Sequence, residues 1–324
     1  MKKEDLRIVF MGTPEFAVET LKALVDNQYN VVAVVTQPDK PVGRHQDTLQ
    51  PSEVKKFALE HNLPVLQPEK MKDPAFVEEL RGYNANLQVV VAFRMLPEIV
   101  WDMPEFGTFN VHAALLPQYR GAAPINWAVI NGETQTGVTT FFLDKDIDTG
   151  RIIMQKPFAI PDDADVEYVY DGLMYLGADI CIETLEKIIS ANGHPESIPQ
   201  DSLITAGRML HNAPKIFKET CEINWRQSAK SVYDFIRGLS PYPGAWTTLV
   251  SPDGKETVLK IFKACITDCK DGEAGTTAVV DKRPCIWCSD GLLQLEELQL
   301  AGKKRMSGRD FINGNKFFEN YIIK

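Results

Sequence analysis

Short apolar runs alternate with amphipathic stretches through the first half of the chain. RIVFM at 7–11 is followed by Gly12-Thr13-Pro14, and then by Phe16, Val18, Leu21, Leu24 and Val25 at helical spacing. That order predicts a strand, a tight turn and a helix, with Pro14 suited to the first helical turn. VVAVVT at 31–36, VLQP at 65–68, a helical pattern over 73–82 and LQVVVAF at 87–93 repeat the alternation. Continuous Val-rich runs between amphipathic helices predict a mostly parallel sheet covered on both faces, a doubly wound α/β domain. Ligands of such sheets bind beyond the carboxyl ends of the strands.

The pattern changes in the second half. A long helical segment over about 165–192 runs into SANGHPESIPQDS, whose Ser, Pro, Asn and Gly read as a linker. Beyond it, helical spacing survives near SAKSVYDFIRGLS. WTTLV, TVLKIFKACI, TTAVV and LLQLEELQL are short runs separated by Gly and Asp turns. Strands at that spacing predict a small C-terminal β-barrel, OB-like, of a type that often binds nucleic acids. The expected boundaries are 1–189 for the α/β domain, 190–207 for the linker and 208–324 for the barrel. There is no internal repeat.

A length of 324 residues fits two such units, each able to bury a core. With 44% hydrophobic and 24% charged residues the chain is not of a disordered or collagen-like type. No stretch approaches the roughly 18 uncharged apolar residues of a membrane helix. The N-terminus, with Glu4, Asp5 and Arg7 before a short apolar run, does not read as a secretory signal. Six cysteines without small-domain disulfide spacing point to a reducing, cytoplasmic setting. The net charge of −9 hides an asymmetry that matters for partners. Residues 1–207 carry 17 Lys+Arg against 30 Asp+Glu, whereas 208–324 carry 18 against 14. Only the C-terminal part has the sign that a polyanion attracts.

The chemistry concentrates in FNVHAALLPQYRGAAPINWA at 109–128 and FFLDKDIDTGRII at 141–153. Asn110 and His112, two apart on a predicted strand, share one face at its end. Polar side chains there are costly to bury without partners. Asp148, in a loop between apolar runs, can reach the same crevice. An amide, an imidazole and a carboxylate without a nucleophilic Ser or Cys motif suit direct acyl transfer. Asn110 and protonated His112 would stabilise an oxyanion, and Asp148 would orient His112 and help remove the amine proton. On spacing alone, a structural histidine and turn-forming aspartates read the same way. GTPEF after the first strand lacks both the G-x-G-x-x-G and the G-x-x-x-x-G-K-[ST] pattern, so neither a nicotinamide cofactor nor ATP is indicated. Cys265-x-x-x-Cys269 and Cys285-x-x-Cys288 match a zinc site in outline. On a strand, however, Cys285 and Cys288 would face opposite sides with no Gly to turn them, so buried apolar cysteines and no metal are expected.

Asn110-Val-His112, Leu115-Leu116-Pro117, Tyr119-Arg120-Gly121-Ala122-Ala123-Pro124-Ile125 and Asp148-Thr149-Gly150 resemble the signature of the 10-formyltetrahydrofolate-dependent formyltransferases. GTPEFAV at 12–18, TQPDKPVGR at 36–44 and AGKKRM at 301–306 extend the resemblance over both domains, to those members that formylate methionine carried by initiator tRNA. The resemblance implies a Rossmann-like catalytic domain and 10-formyltetrahydrofolate as co-substrate. It implies the same catalytic roles for Asn110, His112 and Asp148. It places folate contacts on Phe93, Arg94, Met95 and Leu96, and on Ala114, Leu115, Leu116 and Pro117. Ala114 stands where the family usually has Ser. The partner implied is initiator methionyl-tRNA, gripped near its acceptor end by the loop 37–51 with Arg44, and by phosphate contacts from Lys215, Lys303, Lys304 and Arg305. A monomer without a membrane partner is expected. Rival amines, on glycinamide ribonucleotide or amino-sugar nucleotides, do not explain the basic C-terminal barrel. A silent RNA-binding protein does not explain the intact Asn110, His112 and Asp148.

Overall fold

A computed structural model describes residues 1–324 except 43–47, 206, 208 and 316 and the side chain of Val42, so Arg44 lies outside the described residues. The chain divides into two units that interleave in sequence. The first comprises Met1–Gly121, Thr136–Ala159 and Tyr170–Asn212; the second comprises Ala122–Gln135, Ile160–Val169 and Ala213–Lys324.

In the first unit the Val-rich runs form β1 (Ile8–Gly12), β2 (Val31–Val35), β3 (Val65–Leu66) and β4 (Leu87–Val91). Three further strands, β5 (Thr108–His112), β6 (Gln135–Phe142) and β7 (Ile152–Ala159), complete a seven-stranded sheet of order β7-β6-β5-β4-β1-β2-β3. β1 pairs in parallel with β2 and β4, β2 with β3, and β4 with β5. β6 runs antiparallel to β5. Every residue of β1 and of β4 is buried, as expected for strands covered on both faces. One cover is a core of Val9, Met11, Ala33 and Val35 packed with Phe76, Val77 and Leu80. These last three lie on α3 (Pro74–Gly82), which follows α1 (Glu15–Asp26) and α2 (Glu53–Glu60). The helix starts follow side-chain capping: Ser52 accepts from Lys55 N–H at 3.1 Å, and Asp73 from Ala75 N–H at 3.0 Å with Pro74 next. Pro14 precedes α1 as its capping residue, one place before the helix. After β1 the chain builds outward to β3 and then returns to lay β4 on the other side of β1. The carboxyl ends of β1 and β4 therefore flank the switch point where such sheets open a crevice.

The helix α4 (Pro124–Ile130) belongs to the second unit, and α5 (Val166–Ser190) begins in the second unit's segment and continues in the first unit's. No helix among the described residues is long and apolar enough to cross a membrane.

The second unit adds α6 (Ala229–Gly238), then β8 (Ala245–Val250), β9 (Glu256–Ile266), β10 (Thr277–Val280), β11 (Arg283–Trp287) and β12 (Leu292–Leu300), and finally α7 (Gly308–Gly314) and β13 (Ile322–Ile323). The strand order is β10-β11-β12-β9-β8-β13, antiparallel throughout. A bridge between Thr276 and Ile322, with the Thr277 hydroxyl donating to the Tyr321 carbonyl at 2.8 Å, brings the two edges together and closes the sheet into a small barrel. β8 alternates buried and half-buried residues, the signature of a strand with one face on a core. That core includes Trp225, Ile236, Leu249, Leu259, Ile261, Leu295, Phe311 and Phe318. Cys285 and Cys288 are both fully buried, as expected of apolar cysteines. Burial pushes the two thiols up to about 11 and about 12. Cys265 and Cys269 are exposed. Among the described residues no three His, Cys, Asp or Glu side chains gather as metal ligands.

Candidate active site

β5 carries polar residues into the carboxyl end of an otherwise apolar sheet. Its register sets Asn110 beside Val90 and Val111 beside Val91, so His112 lies one residue past the end of β4. The Asn110 Oδ1 is buried and finds no hydrogen-bond partner among the described residues. His112 is 6% exposed, and its Nε2 lies 2.9 Å from the carbonyl oxygen of Tyr119. A carbonyl can only accept, so Nε2 carries the proton. In the neutral ring the lone pair is then on Nδ1, which faces the Asp148 Oδ2 at 3.8 Å. That separation is too long for a hydrogen bond and short enough for an ion pair once Nδ1 takes a proton.

Three residues at this end of the sheet, two of them the partners of His112, have unusual backbone. Ala92 just beyond β4, Tyr119 and Asp148 have positive φ of 46°, 59° and 55°. Such conformations in non-glycine residues cost of order 1 kcal/mol or more and persist where surrounding contacts enforce them. The contact at Asp148 is the Gly121 N–H, which donates to Oδ2 at 2.9 Å. The acidic loop divides by role. Asp144 accepts from Asp146 N–H and from the Thr149 hydroxyl, ordinary turn chemistry, whereas Asp148, 12% exposed, turns toward His112.

The two segments tied to folate by resemblance flank this point. Phe93 to Leu96 follow β4. Leu96 is buried in the core, Met95 is 72% exposed, and Arg94 donates to the carbonyls of Pro68 and Glu69 while its Nε stays buried without a partner among the described residues. Ala114, Leu116 and Pro117 are buried and Leu115 is half-buried. Thr139 on β6 fixes their backbone: its hydroxyl donates to Ala114 O at 2.6 Å and accepts from Leu116 N–H at 3.1 Å. Gln155 on β7 donates to Leu116 O at 2.8 Å. Tyr119, Thr139 and Gln155 are contributors that pattern reading misses. Thr139 and Gln155 lie inside strand runs, and Tyr119 acts through its carbonyl.

In the second unit the basic residues take different situations. Lys215 lines a groove of about 490 Å³ together with Lys218, Lys260, Phe217, Tyr242 and Trp246, and its ammonium stands 5.5 Å over the Phe217 ring. Lys303 and Lys304 are exposed in the turn after β12 and make no ion pair among the described residues. Arg305 is committed, to Glu297 at 2.6 Å and over the Phe262 ring at 4.1 Å.

Residues 6–185 match the Formyl transferase family, and residues 215–316 match the Formyl transferase C-terminal domain. A methionyl-tRNA formyltransferase of Parabacteroides distasonis is 57% identical over 325 residues, covering 100% of both chains. One from Bacteroides fragilis is 54% identical, covering 100% of this chain and 99% of its own. Among solved structures, an N-formyltransferase from Helicobacter canadensis in complex with folinic acid and dTDP-3-aminofucose has a TM-score of 0.62 at 18% identity, covering 93% of this chain and 100% of its own; at that identity the likeness speaks for the fold alone. With two family domains in order and relatives this similar over their whole length, the chain belongs to the methionyl-tRNA formyltransferase family.

Proposed function

We infer that this chain transfers the formyl group of 10-formyltetrahydrofolate to the amino group of methionine on initiator tRNA, for translation initiation. The observation that carries the reading is His112, pinned through Nε2 to a backbone carbonyl with Nδ1 turned to Asp148, beside Asn110, whose buried Oδ1 has no hydrogen-bond partner among the described residues. The amine nitrogen bonds to the formyl carbon, the carbonyl π pair moves onto oxygen, and collapse breaks the bond to N10 of the folate. Asn110 and the imidazolium of His112 stabilise the transient oxyanion, each such donor being worth about 3 kcal/mol in related chemistry. Asp148 holds the imidazolium and helps take the proton that the amine must lose, while the departing folate nitrogen gains one. Phe93 to Leu96 and Ala114 to Pro117 bind the folate, and the buried Arg94 Nε is a donor held free for it. Residues 1–189 serve as the catalytic domain and 190–207 as the linker. Residues 208–324 bind tRNA, with Lys215, Lys303, Lys304 and Arg305 at phosphates and Arg44 near the acceptor end. The protein works as a monomer in the cytoplasm.

The test is to supply 10-formyltetrahydrofolate with charged initiator tRNA, glycinamide ribonucleotide or an amino-sugar nucleotide as acceptor. Formylation of the tRNA with by far the highest kcat/KM is expected, and a sugar amine taking the formyl group faster would overturn the assignment. His112→Ala should lose at least two orders of magnitude in kcat with the fold intact.

A further inference from the structure

The segment that follows α5 carries Gln200, 2% exposed, and every hydrogen-bonding position of its amide is engaged. Its Oε1 accepts from Arg120 Nε at 3.0 Å and Nη2 at 2.6 Å. Its Nε2 donates to the carbonyl of Asp148 at 2.8 Å and to that of Gly150 at 2.9 Å. Gln200 thus ties the backbone of Asp148 to the residue just before Gly121, whose N–H holds the Asp148 carboxylate. The tie is reinforced on either side. Ile198 and Ile152 exchange two backbone hydrogen bonds, and Arg151 donates to Ser197. Further along, Gln118 donates to Met209 O and accepts from His211 N–H, and Tyr119 N–H donates to His211 O, so the residue whose carbonyl holds His112 is fastened to the same segment.

We propose that Gln200 is a positioning residue for the transfer: it holds the left-handed backbone of Asp148, and with it the carboxylate, in register with His112. The proposal rests on the reading of Asp148 given under Proposed function. An unclamped loop lets Asp148 leave its positive φ, and a displacement of about 1 Å at a reacting group costs on the order of 100-fold in rate.

The decisive variant is Gln200→Glu, which keeps the volume and the acceptor for Arg120 but cannot donate to the two carbonyls. Single-turnover formylation with saturating folate and initiator tRNA should slow on the order of 10- to 100-fold, with KM for both substrates changed less than about threefold. In an Asp148→Ala background, adding Gln200→Glu should change the residual rate less than about twofold, because the residue acts through the carboxylate already removed. A wild-type rate for Gln200→Glu overturns the proposal. So does a rate deficit that persists in full in the Asp148→Ala background, or a Gln200→Glu protein that circular dichroism shows to be unfolded, since the residue would then hold the fold rather than the loop. A near-normal rate for Asp148→Ala alone would instead sink the reading of Asp148, so the two failures are told apart.

Discussion

At Gly150 the sheet leaves no room for a side chain: a Cβ would lie 1.6 Å from the Phe142 carbonyl oxygen. Gly150→Ala must push the loop off β6 and carry Asp148 with it, so kcat should fall by at least tenfold alongside a drop in thermal stability, measured by formylation rate and melting temperature. Asp148→Asn separates charge from shape. The amide oxygen still accepts from Gly121 N–H, but nothing pairs a protonated Nδ1 of His112, so kcat should fall about 100- to 10,000-fold with the melting temperature little changed. A rate within threefold of the parent would show that the carboxylate charge plays no part. At this scale the sequence was half legible. Asn110 and His112 stand out because they set two polar side chains on one face at the end of a short predicted strand. Tyr119 does not, because its role is a carbonyl aimed by a left-handed backbone, and Gln200 does not, because a lone Gln among Ser and Pro reads as solvated chain.

Among elements, the parallel strands were readable because burial on both faces demands unbroken apolar runs. The direction of β6 was not, since a run of TTFF has the same period whichever way it pairs. The second barrel edge was also hidden, because β13 is only two residues long and owes its place to pairing with β8 and the Thr276 bridge. α6 shows what packing adds to pattern. It buries Asp234 and Arg237, joined at 2.7 Å, and Lys230 reaches Asp234 at 2.7 Å, while Arg237 also donates to Ala164 O at 2.8 Å. Asp234→Ala leaves a buried guanidinium without its carboxylate, and destabilisation by about 3–5 kcal/mol is expected from urea unfolding. The buried thiols of Cys285 and Cys288 give a pH dependence of definite sign. The unfolded chain releases these protons from an ordinary value of 9.0, the folded unit only near 11 and 12. Between those values the unfolded state binds fewer protons, so stability is fully present below pH 9 and falls as pH rises. The urea midpoint should drop between pH 8 and 10, and the drop should shrink in a Cys285→Ala, Cys288→Ala double variant.

For the whole molecule, the units do not follow the chain in two blocks. Segments 122–135 and 160–169 count with the second unit, where Asn126 donates to Gly238 O, Trp127 to Pro214 O and Lys230 pairs with Asp162. No local period announces such a return, because it is decided by which surface each segment covers. A cut at 207 would strip α4 of the helix it packs against, so removing the C-terminal residues is a poor way to ask what the barrel binds. Surface charge is a cleaner probe, because with a net balance of −9 a polyanion must be held by cations that the protein's own carboxylates leave unpaired. Arg305 already serves Glu297 and Phe262, so replacing it would disturb the barrel as well as any phosphate. Lys303 and Lys304 carry no such duty. Lys303→Gln with Lys304→Gln should leave kcat and the melting temperature near the parent values and raise KM for initiator tRNA. For every lysine–phosphate ion pair removed, the slope of log affinity against log salt should flatten by about 0.7–0.9. An unchanged slope would place the tRNA elsewhere, with the groove bearing Lys215, Lys218 and Lys260 as the next surface to neutralise.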